Sequence, residues 1–78
     1  MNKTEQAQDP NCPIPVLEKL SNDKDRDVRC GIARNPSLTI EIVKNNLNKF
    51  ELKWFDENPN KKLVEQVKAL FEQYGDLM

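Results

Sequence analysis

Residues 9–43 read DPNCPIPVLEKLSNDKDRDVRCGIARNPSLTIEIV, and the segment Asp25-Arg26-Asp27-Val28-Arg29-Cys30-Gly31-Ile32-Ala33-Arg34-Asn35-Pro36 within them sets the frame for the chain. Asp25 is a side chain that caps helices well, and Val28 and Ile32 stand four apart on one helical face with Ala33 beside them. Pro36 forces Asn35 out of helical geometry and ends the segment. The spacing predicts a helix over 26–34. Gly31 inside it costs about 1 kcal/mol relative to Ala, which predicts close approach of a neighbouring helix.

The Asx-Pro stop recurs at Asp9-Pro10, Asn35-Pro36 and Asn58-Pro59, at offsets of 26 and 23 residues. Superposing Pro10 on Pro36 aligns Ile14 with Ile40, Val16 with Ile42 and Leu17 with Val43; superposing Pro36 on Pro59 aligns Ile32 with Phe55. A period in the mid-twenties suits stacked helical units, none of which can bury its apolar face alone.

Other helices follow from the same reasoning. Pro15 suits a first turn, and Ile14, Val16, Leu17 and Leu20 predict a helix over 14–21. Ser37 or Thr39 can cap a helix over 39–47 with the stripe Ile40, Val43, Leu47. Phe50, Leu52, Trp54 and Phe55 predict a short helix over 49–57. Leu63, Val64, Val67, Leu70, Phe71 and Tyr74 mark the longest helix, with Asn60 as cap and Gly75 as a fitting residue after its end. Residues 1–8 (MNKTEQAQ) read as a frayed, flexible polar segment. Strand-like alternation is absent from the sequence.

The stretch Asp9–Leu47 resembles the leucine-rich variant repeat family, similar in style to HEAT repeats. The likeness rests on Asx-Pro, a short apolar helix, and then Asp-x-x-Val-Arg-x-x-Ile-Ala-x-Asn-Pro, carried here by Asp25, Val28, Arg29, Ile32, Ala33, Asn35 and Pro36. The resemblance implies an all-α, right-handed α-solenoid-like stack of about five helices. It places a single helical-repeat domain over 9–78, with units starting near 9, 35 and 58 and the last a capping helix. The second unit departs from the pattern: Glu51 or Leu52 stands where Val28 would align, and Asp56-Glu57 replace Ala33-Arg34. Family members are mostly presumed interaction surfaces. Some carry an iron–sulfur segment ahead of the repeats, but such a cluster needs four ligands and this chain has only Cys12 there, so no cofactor is expected.

Composition narrows the function classes. The chain has 78 residues, 32% of them charged and 37% hydrophobic, with a formal net charge of −1. That balance argues against a dedicated nucleic-acid binder, which needs a strong basic excess. The charge is uneven: residues 28–49 carry Arg29, Arg34, Lys44 and Lys49 against Glu41 alone, between two acidic ends. With no histidine the usual catalytic base is missing, and Gly31 and Gly75 are the only glycines, so no phosphate loop exists. Asp23, Asp25 and Asp27 alternate like the start of a calcium loop but lack its Gly and closing Glu. Cys12 and Cys30 form no metal motif and are expected to be reduced and structural. No enzymatic activity, small-molecule substrate or metal is expected. The polar first dozen residues and the lack of an apolar span of about 20 residues predict a cytoplasmic protein with no membrane contact, and the helical-repeat resemblance implies one of bacterial type.

The expected function is a protein-interaction module for a partner with an acidic surface. Its candidate contacts are Arg26, Arg29, Arg34, Lys44, Lys49 and Trp54. The structural alternative for Arg29 is pairing with a carboxylate such as Asp25 or with carbonyls of the turn between units. For Trp54 the alternatives are core packing and an exposed binding anchor. Nucleic-acid binding through the basic stretch 26–49 ranks behind protein binding. Self-association through open ends of the stack is a third reading.

Overall fold

A computed structural model describes residues 2–75 as an all-α stack of 37 × 25 × 19 Å, with no strand among those residues. Its elements are α1 (Lys3–Gln8), α2 (Ile14–Leu20), α3 (Arg26–Ala33), α4 (Ile40–Asn45), a 3-10 turn (Leu47–Lys49), a 3-10 helix (Leu52–Glu57) and α5 (Lys61–Gly75). The elements fall into two rows. α1, α3 and the 3-10 helix each precede an Asx-Pro and pack in that order; α2, α4 and α5 follow one. α2 packs on α1 and α3, while α5 packs on the 3-10 helix and α4.

The caps form where the residue types demand. Asp25 accepts from Asp27 N at 2.9 Å, Thr39 from Ile42 N at 3.3 Å and Asn60 from Leu63 N at 3.2 Å, each satisfying an otherwise orphan donor of a first turn. Pro15 lies in the first turn of α2, as its missing N–H allows.

Two elements differ from the sequence reading. Residues 3–8 are not frayed: they form α1, capped by Asn2, whose side chain accepts from Glu5 N at 2.8 Å. Ala7 is fully buried. Here lies the reason for Gly31, since a Cβ at that position would meet Ala7 Cβ at 3.2 Å, Gln8 Cγ at 3.3 Å and Thr4 O at 3.4 Å. The close neighbour of α3 is thus α1. The short helix expected over 49–57 is a 3-10 helix of six residues over 52–57, longer than such runs usually are. It buries Trp54 and Phe55 side by side and joins the row as a tighter rod.

A side-chain ladder ties the units together. Asn35 Nδ2 donates to Ala7 O and Asp9 O, both at 2.8 Å; Asn58 Nδ2 donates to Ala33 O at 2.8 Å and Asn35 O at 3.0 Å. The acceptors correspond, because each amide reaches the preceding Asx and the residue two before it. Each Asn Oδ1 accepts from the main-chain N–H two residues on, Ser37 and Asn60, at 2.8 Å. Those same two residues reach back to the preceding proline: Ser37 Oγ to Pro10 O at 2.5 Å and Asn60 Nδ2 to Pro36 O at 3.1 Å. Asn35 and Asn58 are fully buried. A buried amide must use its hydrogen-bonding capacity, and these two do so by fixing the spacing between units.

Between the rows lies the core. Leu17, Val28, Ile32, Val43, Phe55 and Val67 are its most enclosed side chains, each worth about 1.5–3 kcal/mol when fully buried. Phe55, aligned with Ile32, occupies the same level of the next unit. Its ring meets Phe50 edge-on at 5.7 Å and Phe71 at 6.4 Å. From the sequence, Tyr74, Leu77 and Met78 are expected either to cover the open end of the stack or to offer it to a second copy; Leu77 and Met78 lie outside the described residues, and Tyr74 is exposed.

Candidate interaction cleft

The end of α3 nearest its cap faces the chain leading into the 3-10 helix. There Arg26, Arg29, Lys49, Glu51 and Trp54 line a shallow cleft of about 230 Å³, with Asn48 and Phe50 completing its wall. Arg26 and Arg29 project together because they are three apart on one helix. Lys49 and Glu51 flank Phe50, whose buried ring anchors the segment that carries them.

The two arginines are held in different ways. Arg26 is largely exposed, pairs with Glu51 across 25 residues of chain, and lays its guanidinium over the Trp54 ring at 5.6 Å. Glu51 also meets Lys53 Nζ at 3.6 Å. Arg29 is half-buried; its Nη1 donates to Lys49 O at 3.3 Å. Its Nε is closed off and has no hydrogen-bond partner among the described residues. No carboxylate of the described residues lies within ion-pair distance of Arg29. The cleft is therefore lined by three cationic residues and one carboxylate, in a chain whose net charge is −1.

The sequence candidates divide accordingly. Arg26, Arg29, Lys49 and Trp54 come together. Arg34 does not join them: it is exposed at the far end of α3 and reaches Glu57 at 3.9 Å. Lys44 is exposed on α4, outside the cleft lining. Trp54 is a core residue, 9% exposed, that forms a wall under Arg26 and is not a protruding anchor. Arg29 does not pair with Asp25; it takes the turn carbonyl of Lys49. Glu51 was missed as a site residue. Its signal was weak, since it stood out only as the residue replacing Val28 in the second unit.

A second, larger hollow of about 500 Å³ lies beside the turn between α2 and α3. One ion pair, Lys3 with Asp23, lies in its lining. Asp23 takes Lys3 Nζ at 3.0 Å and Asp25 N at 2.8 Å. That main-chain N–H, with Lys3 and the more distant Arg29, holds the Asp23 carboxyl below its ordinary range. Cys12 and Cys30 are both free thiols. Burial, helped by the charge of Asp9, pushes the Cys12 thiol up. No group of three or more potential ligands gathers into a metal site among the described residues, and no helix among them is long and apolar enough to cross a membrane.

No protein-family profile, curated protein or solved structure matches the chain. The cleft must be read from its own geometry.

Proposed function

We propose that this chain is a protein-interaction module of the leucine-rich-variant style, without catalytic chemistry of its own, whose cleft takes an acidic segment of a cytoplasmic partner. One observation carries the reading: Arg26, Arg29 and Lys49 converge beside Trp54 while the chain as a whole is slightly acidic. A local positive potential on an acidic background steers anionic partners and selects among them. The buried Trp54 ring backs Arg26 and helps hold its guanidinium at the cleft. The recurring amide ladder at the Asx-Pro positions supports the repeat-family reading.

Nucleic-acid binding through residues 26–49 has less behind it. Arg26 and Arg34 are each matched by a carboxylate, and Arg34 and Lys44 lie apart from the cleft, so no continuous basic track forms. Affinity capture from lysate, with and without nuclease, separates the readings. A protein retained after nuclease by the wild type and lost by the Arg26→Glu/Lys49→Glu variant is the expected result. Capture that collapses with nuclease would favour nucleic acid, and capture indifferent to both substitutions would remove the cleft from consideration.

A further inference from the structure

Glu51 sits where an incoming carboxylate would sit. It is the sole acidic residue of the cleft lining, it engages Arg26 on the face that covers Trp54, and it does so from a different unit of the stack. Arg29, one helical turn away, is paired with no carboxylate among the described residues. An acidic ligand entering the cleft would find no competing carboxylate of the described residues at Arg29 but would have to share or displace Glu51 at Arg26.

We propose that Glu51 is a built-in competitor for the acidic ligand, occupying half of a two-arginine receptor whose other half, Arg29, holds only the main-chain carbonyl of Lys49. This deepens the acidic-partner reading above and rests on it. The ligand class is a peptide segment bearing two or more carboxylates, one for Arg29 and one that exchanges with Glu51 at Arg26. The Arg26–Glu51 pair is solvent-exposed on both sides, and pairs of that kind are weak enough to exchange readily. Lys53, which also touches Glu51, gives the displaced carboxylate a place to go. The competitor sets a threshold: a single carboxylate gains only Arg29, and a doubly acidic segment gains both arginines.

The test is titration of the full chain with an end-blocked hexaglutamate peptide at low salt, by calorimetry, with emission of Trp54 as the report from the cleft. Glu51→Gln removes the competing charge and keeps the shape. Glu57→Gln removes an equal charge at Arg34, outside the cleft, and controls for net charge. The expected result is binding by the wild type, tightened by up to about five-fold in Glu51→Gln, the size of an exposed ion pair, and by less than about two-fold in Glu57→Gln. Binding by the wild type with equal gains in the two variants would overturn the competitor and leave the acidic-partner reading standing. No binding by the wild type or by Glu51→Gln would overturn both.

Discussion

The side-chain amide of Asn58 donates to the main-chain carbonyl of Asn35 at 3.0 Å, and the amide of Asn35 donates in turn to the carbonyl of Asp9 at 2.8 Å. Three consecutive Asx-Pro stops are thus joined through one type of contact. Asparagine is the residue that can do this, because it offers two hydrogens to the unit before it while its oxygen takes the N–H of its own turn.

Replacing Asn58 by Ala leaves the Ala33 carbonyl and the Asn60 N–H without their partners, while Asn35 O keeps Leu38 N, and opens a small void. We expect a loss of about 2–4 kcal/mol, from unsatisfied groups worth about 1–3 kcal/mol each, partly offset by relaxation. Asn58→Asp should be worse than Asn58→Ala, because it turns a carboxylate oxygen toward Ala33 O and Asn35 O. Urea unfolding followed by Trp54 emission measures both; an Asp variant more stable than the Ala variant would contradict the ladder.

Gly31→Ala sets two effects against each other. Helix propensity gains about 1 kcal/mol. The new methyl meets Ala7 Cβ at 3.2 Å, a contact that requires α1 to shift, and overpacking of this kind costs about 1–3 kcal/mol. The expected net is a loss of about 1 kcal/mol. Combining it with Ala7→Gly should recover part of that loss through a favourable coupling, read in a double-mutant cycle.

Thiol labelling should distinguish the cysteines. Cys12 is buried at 6% exposure and its thiol is pushed up, so little thiolate forms at neutral pH. Cys30 is half-buried on α3. Iodoacetamide under native conditions should modify Cys30 first and reach Cys12 only through unfolding. Mass spectrometry of tryptic peptides checks the order.

Asp23 predicts an acid limb. Its carboxyl is held low by the N–H of Asp25 and by Lys3. A carboxyl whose folded pKa lies below its unfolded value adds stability above the unfolded value, near 3.9, and loses it as pH falls through the folded value. Asp23→Asn should therefore flatten the dependence of stability on pH below about 4 relative to wild type. An unchanged acid limb would show that the turn contact is not maintained in solution.

Legibility in the sequence varied with how local the cause was. The caps of α3 and α4, the first-turn proline of α2 and the stripe of α5 are written in neighbouring residues and were readable. α1 was not read, because a single buried Ala7 in a polar hexapeptide makes no stripe. The overlooked signal is Ala7-Gln8-Asp9-Pro10, which repeats Ala33-Arg34-Asn35-Pro36. The sequence marks 49–57 as a short helix but does not tell 3-10 from α, because over six residues periods of 3.0 and 3.6 diverge too little to separate. Of the cleft, the cations were visible as an uneven charge. The convergence of Arg26 with Glu51 was not, since it depends on the register that the ladder imposes between units.

That ladder has a direction. Every amide gives its hydrogens toward the N-terminal unit, so a further unit placed beyond Asn58 would have to arrive with an asparagine in hand. A second copy of this chain would arrive with Asp9, whose carboxylate at neutral pH has no hydrogen to give and already accepts from Asn11 N at 2.9 Å. One letter of side-chain chemistry thus works as a stop mark: Asp9 brings no side-chain amide with which to continue the ladder.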